Sequence, residues 1–114
     1  MPIKIVKVNA QRSNFTRYIG RQMMDGWGGT GLPKSVFHNP FRIGKDGTRG
    51  EVLLKFAEYW YAPEQKELRR QALYQFDENE ILGCWCHPLD CHGDIIAAYV
   101  HWKRQENPLC LLIP

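Results

Sequence analysis

Three of the four cysteines fall within eight residues, in the run Gly83-Cys84-Trp85-Cys86-His87-Pro88-Leu89-Asp90-Cys91-His92-Gly93-Asp94. If the first part of this run is a strand, Cys84 and Cys86 point to one face and Trp85 to the other, so the two thiols share a pocket. Cys91 and His92 then arrive at the start of the next helix. Backbone amides and the helix dipole favour anions there, which is expected to depress the Cys91 thiol pKa and to offer a seat for a phosphate or carboxylate. Three chemistries fit these residue types. Zinc held by Cys84, Cys86, Cys91 and either His87 or His92 has suitable ligands, although C-x-C-x4-C-H departs from the usual C-x2-C pairs and adjacent Cys91 and His92 turn poorly to one ion. A reactive Cys91, assisted by His92 or His87 as catalytic partner and resolved by Cys86, is the nucleophilic or redox reading. The third makes the cysteines small core residues and the histidine a cap at the helix start.

A second cluster begins at Tyr18-Ile19-Gly20-Arg21 and resumes at His38-Asn39-Pro40-Phe41-Arg42. A glycine just past a strand lets backbone approach a ligand, and Arg21 and Arg42 present planar forks suited to phosphate or carboxylate. The bland alternative is that the arginines brace a loop and Asn39-Pro40 forms a turn. The run from Gly26 to Gly31 lacks the Gly-Lys-Ser/Thr ending of a phosphate loop. Trp60, Tyr61, Trp85 and Trp102 could stack a base, whereas aromatics at helical spacing more often form core. Basic residues 12, 17, 21, 42, 45 and 49 either line one rim or are scattered in solvent.

The elements that must position these groups alternate in type. Ile3 to Val8 is short and β-branched and reads as a first strand, with a second over Arg17 to Ile19. Residues 20–47 carry seven glycines and two prolines with no period, and are expected to be a long loop, partly packed through Trp27, Phe37 and Phe41. Thr48 and Glu51 form a capping box, and Val52, Phe56, Tyr59 and Trp60 predict a helix over about 49–61. Pro63 opens a second helix with Leu68, Ala72, Leu73 and Phe76 inward and Arg69 and Arg70 in water. Glu80 to Cys86 reads as a strand, and Ile95, Ile96, Tyr99, Val100 and Trp102 mark a third helix that Lys103 and Arg104 close. The apolar run Leu109 to Ile113, which contains Cys110, reads as a final buried strand. Strands alternating with helices imply a small α/β domain, a mostly parallel sheet covered by about three helices with Rossmann-like layering. In such sheets ligands lie beyond the carboxyl ends of the strands, where both chemically rich loops leave.

At 114 residues the chain is the size of one domain. Its apolar (44%) and charged (24%) contents support a packed core rather than disorder. A net charge of +3 permits an anionic ligand but falls short of the basic surface that duplex nucleic acid needs. No apolar run approaches a membrane span and no signal peptide is evident, so a soluble, cytoplasmic protein is expected.

Tyr18-Ile19-Gly20-Arg21, then Asn39-Pro40-Phe41-Arg42-Ile43-Gly44, a capped helix, and finally Gly83-Cys84-Trp85-Cys86 with Cys91-His92-Gly93-Asp94 resemble the phage and bacterial domain of unknown function numbered 4326, over about residues 3–104. The resemblance implies an α/β domain with Gly20, Arg21, Asn39, Pro40, Phe41, Cys84, Trp85, Cys86, Cys91, His92, Gly93 and Asp94 as signature positions, and supplies no reaction. Against that pattern Gln22 to His38 looks like an insertion. The last strand and helix resemble, more distantly, the domain of unknown function numbered 488, in which an Arg stands where this chain has Gly93. A phage setting would place the protein in the host cytoplasm.

Together these readings lead us to expect a pocket for a nucleotide or similar anionic small molecule. Gly20, Arg21, Asn39, Phe41, Arg42, Trp85, Gly93 and Asp94 would line it, and Cys91 and His92 would serve conversion of a nucleotide or nucleobase. Two alternatives are a sequestering protein without catalysis and an interaction module stabilised by zinc on Cys84, Cys86, Cys91 and His87.

Overall fold

In the computed structural model of the chain, described for residues 3–8, 15–20, 34–84 and 91–106, three short strands form a parallel sheet. They are β1 (Lys4–Lys7), β2 (Arg17–Tyr18) and β3 (Ile81–Cys84). The order is β1-β3-β2, with Lys4 opposite Ile81, Lys7 opposite Cys84 and Tyr18 opposite Gly83. Hydrogen bonds extend both ladders past the strand ends, from Val8 N–H to the Cys84 carbonyl and from Ile19 N–H to the Gly83 carbonyl. β3, the last of these strands in sequence, therefore lies between β1 and β2. The parallel α/β architecture expected from the alternation of elements is the one observed.

Helix α1 (Arg49–Tyr61) starts where the capping box places it: Thr48 Oγ1 accepts from Glu51 N–H at 3.3 Å, and Glu51 Oε1 accepts from Thr48 N–H at 2.8 Å. These bonds hold the Glu51 carboxyl below its ordinary pKa. Just before it, Gly44 takes φ +93°, a left-handed conformation that glycine adopts without strain. Pro63–Gln65 forms a single 3-10 turn that leads into α2 (Lys66–Gln75), so the second helical segment begins at Pro63 in the tighter form. Helix α3 (His92–Glu106) packs on α1, α2 and β1.

The core gathers Ile19, Phe37, Phe56, Trp60, Ala72, Phe76, Leu82, Ile96 and Val100 from every layer. Phe37, in the long loop, is buried with its ring edge-on to Phe76 at 5.1 Å, so that part of the loop packs as expected. Two expectations are corrected. Arg69 is half-buried, because its Nη1 donates to the carbonyls of Trp60 (2.6 Å) and Ala62 (2.8 Å) and satisfies the end of α1. Trp102 stands 51% exposed rather than on the inward stripe of α3. The expected last strand at Leu109 to Ile113, Trp27 and Cys110 lie outside the described residues.

At the amino edge of the sheet, buried Glu80 ties the turn before β3 to the start of β2. One carboxylate oxygen accepts from Asp77 N–H at 3.0 Å, the other accepts from the Thr16 hydroxyl, and Arg17 Nε lies 3.6 Å away. Arg17 thus braces the fold, with its guanidinium also 5.1 Å over the Phe76 ring, instead of lining a ligand rim.

Candidate functional site

The carboxyl ends of β2 and β3 meet the first turn of α3. Cys84, the last residue of β3, and Cys91, the residue before α3, bring their sulfurs to 3.1 Å, both side chains buried. The thiol that Cys84 meets among the described residues is that of Cys91. Cys86, its anticipated neighbour, lies with Trp85 and His87 outside the described residues, as does Arg21.

The helix start is already occupied by the chain's own groups. Asp94 Oδ2 accepts from Cys91 N–H at 3.0 Å, and Asp94 N–H donates to the Cys91 carbonyl at 3.0 Å. Gly93 N–H faces the Cys91 sulfur and favours its thiolate, as the helix-start argument anticipates. That effect is outweighed. The hydrogen bond with the Cys84 thiol, then burial, push the Cys91 thiol well above the ordinary thiol pKa, and the nearby Asp94 charge adds to the rise. The expected depressed thiol is therefore corrected: Cys91 is protonated at neutral pH.

His92 turns the opposite way. Its Nε2 lies 2.8 Å from the Ile19 carbonyl, and because a carbonyl only accepts, Nε2 carries the proton. The imidazole stands edge-on to Phe56 at 5.1 Å. Cys91 and His92 accordingly serve different neighbours. Among the described residues no three His, Cys, Asp or Glu side chains converge on a metal position.

Glycines permit this convergence. A Cβ on Gly93 would lie 2.8 Å from Ile19 Cδ1 and 3.3 Å from Ile5 Cγ1, and a Cβ on Gly20 would collide with the Tyr18 ring. Gly20 also receives the returning long loop, its carbonyl accepting from Ser35 N–H at 3.0 Å. Gly20 and Ser35 are thereby held together.

The other signature residues stand further off. Asn39 Oδ1 accepts from Phe41 N–H at 2.9 Å and forms the expected turn. Phe41 lies edge-on to Tyr59 (6.2 Å), Tyr59 touches Phe56 (5.7 Å), and Phe56 touches His92, so a chain of rings links this turn to the sheet edge. Arg42 is exposed, with its backbone N–H bonded to Asp46 Oδ2 at 2.8 Å.

Sequence reasoning missed Glu80, whose burial no local pattern signals, and the grouping of aromatics. Trp60 is wholly buried core, while Tyr61 and Trp102 are half-exposed and line one groove with Tyr99. The i, i+3 spacing of Tyr99 and Trp102 on a helix was the available signal.

A family model described as Domain of unknown function (DUF4326) matches residues 4–102. No curated protein and no solved structure matches the chain. No helix among the described residues is long and apolar enough to cross a membrane.

Proposed function

The chain belongs to the DUF4326 family, and on that premise we propose that the carboxyl edge of its sheet binds a nucleotide or similar anionic small molecule and sequesters it without converting it. The observation that carries this reading is the bond from His92 to the Ile19 carbonyl, which draws the end of β2, the end of β3 and the start of α3 into one place. The strand order reverses there, the arrangement at whose carboxyl edge α/β ligands sit. Arg21, next in the chain to Gly20, supplies the cation, since Asp94 already takes the Cys91 amide. Trp85, next to Cys84, packs on the organic part.

Sequestration is favoured over conversion because the Cys91 thiol is buried and protonated and the His92 ring proton is committed to a carbonyl. A reducing, cytoplasmic setting suits two unbridged thiols.

Calorimetric titration with mono-, di- and cyclic nucleotides, followed by chemical analysis of the recovered ligand, tests this. The expected result is saturable binding, ligand recovered unaltered, and affinity at least about tenfold weaker in Arg21→Gln, the loss of one charge-assisted contact. Absence of binding across the panel overturns it. Product formation that disappears in Cys91→Ala replaces it with nucleotide conversion. Stoichiometric zinc whose chelation unfolds the chain replaces it with a zinc-stabilised module using Cys86 and His87.

A further inference from the structure

Ten residues beyond His92, about 15 Å along α3 at the helical rise, Trp102 stands on a groove of about 440 Å³ between the end of α1, α2 and α3. Three rings form one wall in series. Tyr61 meets Tyr99 edge-on at 5.8 Å, and Tyr99 meets Trp102 edge-on at 6.1 Å. Tyr99 is buried, whereas Tyr61 and Trp102 are 48% and 51% exposed. The groove therefore offers two separate aromatic platforms, held by a buried ring between them.

The remaining polar lining is cationic. Lys66, Arg69 and Arg70 come from α2 and Lys103 from α3, and among the described residues no carboxylate lines the groove. Arg69 is the best placed. Its Nη1 is fixed by the carbonyls of Trp60 and Ala62, and among the described residues its Nε and Nη2 have no hydrogen-bond partner. Arg70 and Lys103 each pair with a carboxylate at the rim, Glu67 at 2.8 Å and Glu106 at 3.2 Å. Such exposed pairs contribute little and can exchange for a phosphate. Lys103 Nζ also sits 4.8 Å from the Trp102 ring centroid, which keeps a positive charge beside that platform.

We propose that this groove binds single-stranded nucleic acid, with two bases on Tyr61 and Trp102 and the backbone along Lys66, Arg69, Arg70 and Lys103. Bases in a duplex have their faces covered, which excludes this mode of contact, and two platforms separated by Tyr99 suit a strand of two or more nucleotides over a mononucleotide. An acidic peptide would engage the cations and leave both rings unused. The inference is independent of the ligand site at the sheet edge.

Fluorescence anisotropy of the full chain with a labelled oligouridylate of about ten nucleotides, within the usual single-strand site sizes, tests it. Saturable binding that weakens steadily with added salt is expected. Tyr61→Ala and Trp102→Ala should each weaken it at least about fivefold, Trp102→Phe should recover most of the loss, and Lys66→Gln should lower the salt dependence. Both rings are half-exposed, so an unchanged circular dichroism melt shows that each variant folds. Undetectable binding at low salt, wild-type affinity in Trp102→Ala, or equal competition by uridine monophosphate overturns the proposal. Nucleotide binding at the sheet edge is measured separately in Trp102→Ala, so either site can fail alone.

Discussion

The ring N–H of His92, the first residue of α3, donates to the carbonyl of Ile19, the residue after β2, across 73 positions of sequence. This bond satisfies a carbonyl at the end of the sheet ladder and fixes α3 against β2, while the neighbouring Cys91 turns to β3. One helix start thereby holds two adjacent strands.

His92→Phe keeps the edge contact with Phe56 and removes the donor. An unpaired buried carbonyl costs about 1–3 kcal/mol, so urea unfolding should show a lower midpoint with an unchanged slope. His92→Gln, which can still donate, should lose less. Equal midpoints for wild type and His92→Phe would show that the carbonyl finds another partner.

Cys91 gives alkaline sensitivity. Its folded pKa lies above the unfolded value of about 8.5, so above that pH the unfolded chain has released a proton that the native chain retains. Stability contributed by this thiol is complete below about pH 8.5 and falls as pH rises past it. Thermal melts should decline across that range in the wild type and flatten in Cys91→Ala. Native-state alkylation of Cys84 and Cys91 near neutral pH should be slow and become rapid in denaturant, as mass mapping of the labelled thiols can show.

Gly93 is a packing requirement. Gly93→Ala places a methyl 2.8 Å from Ile19 Cδ1, and overpacking of this kind costs about 1–3 kcal/mol. Ile19→Val deletes the clashing carbon. The double variant should be more stable than Gly93→Ala alone, and purely additive losses in the thermodynamic cycle would contradict this geometry.

Glu80 secures the opposite edge. Glu80→Ala removes the acceptor shared by Asp77 N–H and the Thr16 hydroxyl and should destabilise by about 1–3 kcal/mol. Glu80→Gln keeps an oxygen for Asp77 and should lose less. Neither should alter ligand binding at the carboxyl edge, which calorimetry can verify.

Local patterns alone determined much of the fold. The Thr48–Glu51 capping box and the apolar spacing of Val52, Phe56 and Trp60 specify α1 because their bonds and neighbours lie within four residues. Pro63, the β-branched run at β1 and the apolar stripe through Ala72 act over similarly short distances, and the alternation of these elements is sufficient for a parallel α/β arrangement. The meeting of Cys84, Cys91 and His92 with the end of β2 at the carboxyl edge of the sheet was legible in part, since parallel strands send their following loops to the same side.

Partner choice was decided only in three dimensions. Cys84 meets Cys91, His92 reaches Ile19, Arg69 bends inward to close α1, Glu80 is buried between two strands, and Trp102 faces outward beside Tyr61. Each outcome depends on the register of distant segments and on how the helices pack. The same geometry set the charge state of Cys91: a helix start by itself lowers a thiol pKa, but here the Cys84 contact and burial raise it more than the nearby amide lowers it.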